Sequence, residues 1–161
     1  MASIINVDQI NEATNGSGVM IPGHAVQRVR TYVSSSSVIQ STSTSFVASG
    51  ITASITPKKS GNLILIDCTL GMMDAISDNI WTKMYQLIAG GSYAPMAGAQ
   101  DYQFGFQSGA RWTPGVFSGS YTTTSTSQLT YQPYFKSAGG GNVRLVHDSS
   151  SYSLTLTEIA Q

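Results

Sequence analysis

Short runs in which apolar and polar residues alternate restrict this chain's fold more than any other sequence feature. Between residues 24 and 33, Arg28 and Arg30 alternate with Val29 and Thr31, and this two-residue period places neighbouring side chains on opposite faces of a strand. Further runs with strand character cover residues 46–56, 63–70, 80–89, 116–121, 128–135, 142–146 and 152–159. No window of helical length has a convincing 3.6-residue period. The pattern therefore predicts an all-β fold, an antiparallel β-sandwich or jelly roll of about eight strands.

The chain divides at Pro22-Gly23, where its composition changes. We predict a head domain over residues 24–161 and an N-terminal anchoring arm over residues 1–23, because so short a segment cannot bury its own apolar side chains. The arm must therefore lie on its own domain, on a symmetry mate or on another protein. Its candidate anchoring residues are Ile5, Val7, Ile10, Val19 and Ile21.

The charge balance restricts the partners. Eight Lys and Arg residues balance eight Asp and Glu residues, and only 10% of the 161 residues are charged. A protein that binds the phosphate backbone of a nucleic acid needs an excess of basic residues, so we expect no nucleic-acid partner. The longest apolar run, residues 63–66, is too short to cross a bilayer, and no signal peptide is visible, so we expect no membrane partner.

Residues with catalytic or metal-binding potential are few and poorly placed. Cys68 lies in a strongly apolar stretch and is interpreted as a small buried residue. His147 and Asp148 are adjacent, so a strand would direct them to opposite faces. Asp74, Asp78 and Asn79 lack the ligand pattern of a calcium loop and are typical of a solvated loop. We therefore predict no catalytic site, no metal and no cofactor, and we do not expect an enzyme.

Two further features admit more than one interpretation. Asp67 interrupts the most apolar run, so we expect a buried carboxylate with a structural partner. The aromatic stretch at residues 102–114 supplies the candidate contact residues Tyr102, Phe104, Arg111 and Trp112. These rings either pack within the domain or a subunit interface, which is the favoured interpretation, or contact carbohydrate or protein.

Three segments carry a family resemblance. Residues 5–21, with Val7-Asp8, Ile10 and a glycine-containing turn before Val19-Met20-Ile21, resemble the short fibre-type segment of tailed-bacteriophage appendage and decoration proteins. Residues 46–66 and 152–159 resemble strands of the trimeric jelly-roll heads of phage virion proteins, which are similar to tumour-necrosis-factor-like domains. The resemblance does not extend to residues 74–138. It implies a homotrimer located in the virion and assembled in the host cytoplasm.

These observations lead to a principal hypothesis and two alternatives. The principal hypothesis is a structural virion protein, a trimer whose arm anchors it on the capsid surface as a decoration or cement protein. Its partners are then copies of itself and capsid or other virion proteins. The alternative is a tail-fibre or receptor-binding knob whose partner is a host-surface glycan. A glycan-cleaving enzyme is disfavoured, because the chain has only two glutamates, Glu12 and Glu158, and its six aspartates lie mostly in turns.

Overall fold

The computed structural model describes residues 21–34, 37–75, 78–105, 112–146 and 150–161, and for residues 102–105 it describes the backbone alone. This part of the chain contains β-strands and no helix. The strands are β1 (Ala25–Ser34), β2 (Ile39–Ser41), β3 (Val47–Ala48), β4 (Ala53–Ile55), β5 (Leu63–Ala75), β6 (Asn79–Ile88), β7 (Ala94–Pro95), β8 (Tyr102–Gly105), β9 (Thr113–Thr122), β10 (Leu129–Ser137), β11 (Val143–Val146) and β12 (Ser151–Ile159).

The strands form two antiparallel sheets. In sheet I, β12 lies between β1 and β5, and β9 pairs with the opposite edge of β5. The short strand β11 pairs with β5 at Asp74 and Ala75, and β2 pairs with β11. In sheet II, β10 lies between β6 and the short strands β3 and β4, while β7 and β8 pair with β6.

One hydrophobic core lies between the sheets. Sheet I contributes Ile64, Ile66 and Leu156, and sheet II contributes Tyr131 and Phe135, all of them fully buried. Alternate residues are buried over residues 63–70 of β5 and along β6, as a sheet with one face on a core requires, whereas β12 buries the four consecutive residues 153–156. The arrangement is consistent with a β-sandwich, and the predicted all-β, antiparallel class is confirmed.

The predicted strands agree in position with the observed ones, but the count differs. The described part of the chain has twelve strands, and the run predicted over residues 46–56 is broken into β3 and β4. The hydroxyl-rich segment 34–45 contains β2, and neither β2 nor the strands β7 and β8 belong to the predicted runs. These added strands have two to four residues, which is too short for a period to appear in the sequence.

Candidate functional site

The outer face of sheet I is formed by the side chains that point away from the core. On β5, Ile64, Ile66 and Cys68 are buried, whereas Leu65 and Asp67 are exposed. The strand register aligns the outward residues in rows across β1, β12, β5 and β9. One row contains Arg30, Thr155, Asp67 and Ser118, and the next contains Tyr32, Ser153, Thr69 and Val116.

This face exposes large apolar side chains. Val116 is 64% exposed, Tyr32 59%, Met72 45% and Leu65 36%. Trp112, which directly precedes β9, is also exposed. Because the remaining outward positions in these rows are mainly Ser, Thr and a few charges, the face combines apolar and hydroxyl groups. Exposed apolar side chains grouped on one face are typical of an interaction surface, whereas single scattered ones are not.

Asp67 is exposed on this face, so the expectation of a buried, paired carboxylate is wrong. The salt bridges within the described ranges do not include it. The sequence misleads here because residues 63–66 are apolar on both faces of the strand, which is typical of a strand buried on both sides. Sheet II instead covers β5 on one side only. The nearby cations lie on the edge strand β1, where the Arg30 guanidinium carbon is 5.3 Å from the centre of the Tyr32 ring.

The fully buried carboxylate of this region is Glu158, which the sequence analysis did not single out. The amide of Asn62 donates to Glu158 Oε1 at 2.7 Å, and the amide of Gln27 donates to Oε2 at 2.6 Å. The backbone N–H of Lys58 lies 2.9 and 3.1 Å from the two oxygens. Glu158 therefore connects the end of β12 to β1 and to the turn before β5. A signal was present, because Glu158 continues the two-residue phase of the buried Leu154 and Leu156.

The three residues predicted to share a solvated loop, Asp74, Asp78 and Asn79, occupy different environments. Asp74 lies on β5, is buried, and forms an ion pair with Arg144 at 3.2 Å, whereas Asn79 begins β6. The prediction of a solvated loop is therefore wrong for Asp74, because pairing with β11 extends β5 through Ala75. No cluster of three or more potential metal-ligating side chains occurs in the described ranges.

Asp78 organises the turn after β10 by accepting several hydrogen bonds. Its carboxylate accepts from the Ser137 hydroxyl and from the backbone N–H groups of Gly139 and Gly141. Partial burial raises the pKa of the Asp78 carboxyl. These hydrogen bonds, together with one from the Asn79 backbone, lower the pKa by more than burial raises it, so the pKa lies below its ordinary value of 3.8.

Cys68 is buried in the core, as predicted. Burial raises the pKa of its thiol to about 12, so the nucleophilic thiolate is not populated near neutral pH. The side chain therefore acts as a small packing group.

Most of the predicted anchoring and contact residues lie outside the described part of the chain. This applies to Ile5, Val7, Ile10, Val19 and Arg111, and to the side chains of Tyr102 and Phe104. Ile21 is described and is exposed. The backbone of Tyr102 and Phe104 lies in β8 of sheet II, whereas Trp112 precedes β9 of sheet I. The predicted aromatic stretch thus begins in one sheet and ends at the other.

A cavity of about 320 Å³ lies where the edges of the two sheets meet. Ile66 and Phe117 of sheet I and Met84 of sheet II line it, together with Met96 and the backbone near Gly119. Its lining also includes the polar side chains of Gln100, Ser118 and Ser120, and it contains no carboxylate, histidine or cysteine. The cavity therefore offers packing surface without acid–base groups.

No family model matches the chain, and no curated protein resembles it significantly. Within the described residues, no helix is long and apolar enough to span a membrane. The geometry by itself defines the class, an all-β protein of two antiparallel sheets with an exposed apolar face on sheet I.

Proposed function

We propose that this chain is a structural virion protein of a tailed bacteriophage, without enzymatic activity. In this proposal it assembles as a homotrimer, and its N-terminal arm over residues 1–23 anchors the trimer on the capsid surface as a decoration protein. The head domain then projects from the particle. The observation that carries the proposal is the exposed apolar outer face of sheet I.

A second copy of the chain is the occupant that this face fits best. Fully burying an exposed Val or Leu side chain contributes about 1.5–3 kcal/mol, so the partly exposed Val116 and Leu65 each contribute a fraction of that. The short hydroxyl residues between them allow close approach of another protein surface. The face also carries both signs of charge, since Arg28 and Arg30 lie on the edge strand and Asp67 lies two strands away. Contact between copies can therefore bring Asp67 to an arginine of a neighbour, which gives the exposed carboxylate a role in assembly.

The strand order supports a jelly-roll head. Strands β3 and β4 both pair with β10, strands β7 and β8 both pair with β6, and β2 pairs with β11 as β1 pairs with β12. The strands β1 and β2, β3 and β4, β7 and β8, and β11 and β12 can each be counted as one interrupted strand. This count reduces the twelve strands to eight. Sheet I then has the order first, eighth, third, sixth, and sheet II the order second, seventh, fourth, fifth. This is the order of a jelly roll, the fold that the family resemblance implies.

Light scattering of the purified full-length chain tests the assembly. We expect a mass three times the 17.0 kDa of the chain. Val116→Asp, which places a charge on the outer face of sheet I, should shift the mass toward the monomer. Ile88→Asp is the matched control, because Ile88 is also exposed but lies at the end of β6 in sheet II. A monomeric wild type, or equal dissociation by both variants, would contradict the trimer.

Particles that carry substitutions in the arm test the anchoring. Polar replacement of Ile5 and Val7 together should remove the protein from capsids while leaving the head folded. Since the chain has no net charge, attachment should survive high salt, as apolar burial does and phosphate contacts do not. Hundreds of copies per virion are expected for a capsid location. A handful of copies, with particles that are stable but cannot adsorb to the host, would instead favour the receptor-binding alternative.

A further inference from the structure

The outer face of sheet II differs in chemistry from that of sheet I. The register of β10 and β6 places Lys136 beside Trp81, Tyr134 beside Lys83, and Gln132 beside Tyr85 on this face. Phe46 directly precedes β3 at the edge beside β10. Tyr93, from the segment between β6 and β7, extends the same group of rings. We call this group of half-buried rings the aromatic face of sheet II; its rings are Phe46, Trp81, Tyr85, Tyr93 and Tyr134.

The rings contact one another in an ordered arrangement. Tyr85 and Tyr134 stack with their centres 3.9 Å apart and their planes inclined by 18°. Phe46 lies 6.3 Å from Tyr85, and Tyr93 lies 6.1 Å from Tyr134, both in tilted orientations. Such packing fixes the rings before any ligand arrives, which lowers the entropy lost on binding.

Polar groups within this face have no partner in the described part of the chain. The hydroxyls of Tyr85, Tyr93 and Tyr134 form no hydrogen bond with another described residue. The side chain of Gln132 also forms no hydrogen bond with another described residue, and its amide is not closed off from solvent. Hydroxyl and amide groups that are left unpaired beside a ring cluster can bond a ligand that supplies donors and acceptors.

The charge of this face is nearly compensated. Lys83 forms a salt bridge with Asp101 at 2.7 Å. The Lys136 ammonium lies 4.8 Å from the centre of the Phe46 ring and 5.6 Å from that of Trp81. One cation held over two rings is a weak site for a polyanion, which needs several uncompensated charges.

We propose that the aromatic face of sheet II binds a neutral carbohydrate. A sugar ring presents C–H groups that pack against aromatic rings, and it presents hydroxyls that donate to and accept from tyrosine hydroxyls and an amide. Among the described residues, the outward positions of β6 and β10 carry no exposed large aliphatic side chain of the kind that makes the outer face of sheet I suitable for a second copy of the chain. In this proposal the outer face of sheet I contacts other copies of the chain, and the outer face of sheet II binds the carbohydrate. This inference goes beyond the structural role and does not depend on the location in the virion.

Titration of the full-length protein with defined oligosaccharides tests the proposal. The probes are maltohexaose, cellohexaose, chitohexaose and an array of neutral bacterial surface glycans, with a heparin hexasaccharide as the polyanionic comparison. Binding is followed by calorimetry and by tryptophan fluorescence, because Trp81 lies on this face. We expect at least one neutral probe to bind, and the heparin fragment to bind more weakly or not at all.

Two variants locate the binding. Tyr134→Ala removes a stacked ring and should weaken binding by about tenfold or more. Tyr134→Phe keeps the ring and the fold but removes the hydroxyl, and should weaken binding by a smaller factor. Tyr32→Ala, which removes an exposed tyrosine from the outer face of sheet I, is the matched control and should leave the affinity per chain unchanged, even where it weakens assembly.

Three results would overturn the proposal. One is the absence of binding to every neutral probe, and another is preference for the heparin fragment. The third is equal loss of binding in Tyr32→Ala and Tyr134→Ala. If instead Tyr134→Ala releases the protein from capsids and no glycan binds, this face is a protein contact.

Discussion

Replacing Glu158 by Gln is expected to destabilise the head strongly, although the two side chains have the same shape. The carboxylate is fully buried and receives N–H groups from Lys58, Asn62 and Gln27. The substitution replaces one carboxylate oxygen by an NH₂ group. Asn62 donates to one oxygen and Gln27 to the other. In either orientation, the new NH₂ group therefore points at the NH₂ group of Asn62 or of Gln27, so that two donors face each other.

The expected loss follows from these contacts. A hydrogen bond to a charged group contributes about 1.5–3 kcal/mol, and leaving a buried donor without an acceptor costs about 1–3 kcal/mol. Rotation of the Gln27 amide cannot relieve the conflict at no cost, because its nitrogen also donates to the carbonyl of Thr56 at 2.7 Å. We therefore expect Glu158→Gln to lower the free energy of unfolding by about 2–4 kcal/mol.

Urea and thermal denaturation at fixed protein concentration measure the effect. For a chain of this length the loss corresponds to a decrease in Tm of roughly 4–16 °C. Asp101→Asn is the matched control, because Asp101 is an exposed carboxylate whose surface ion pair with Lys83 contributes less than about 1 kcal/mol. Equal stability of Glu158→Gln and wild type, or equal loss in both variants, would refute the assignment of Glu158 as the buried structural carboxylate.

Two further predictions concern the turn after β10 and a close contact in sheet I. The lowered pKa of Asp78 means that its carboxylate stabilises the fold above pH 3.8, and that this contribution is lost as the pH falls through the folded-state pKa. The stability difference between wild type and Asp78→Asn, measured in urea, should therefore be clear at pH 7 and should shrink in acid below pH 3.8; a pH-independent difference would contradict this. Gly71→Ala should destabilise by about 1–3 kcal/mol, because a Cβ there would lie 2.5 Å from the Ser151 carbonyl oxygen. Gly139→Ala, whose Cβ would meet nothing nearer than 3.6 Å, is its control in the same denaturation assay, and equal losses would argue against the steric explanation.

The principal strands were predictable because their signal is local. Alternation over residues 24–33 and 152–159 corresponds to β1 and β12, and the run predicted over residues 80–89 corresponds to β6. Local periodicity decides whether a segment suits a pleated sheet, since side chains two residues apart share a face. The same reasoning assigned Cys68 to the core.

Which face of a strand meets solvent depends on the neighbours that the fold provides. The apolar run around Asp67 predicted a buried side chain, but one side of β5 is exposed to solvent. Glu158 was not singled out within its Thr-rich strand, because its donors Gln27, Lys58 and Asn62 lie about one hundred residues or more away along the chain.

The sequence by itself thus determined that this protein is built from antiparallel strands with little charge and an apolar core. Only the tertiary structure decided which carboxylate is buried and which residues share each outer face. The reason is that periodicity places a side chain on one of two sides of its strand, whereas register and sheet packing determine what that side meets. The exposed apolar face of sheet I and the aromatic face of sheet II both arise from such register, because their residues come from strands distant in sequence.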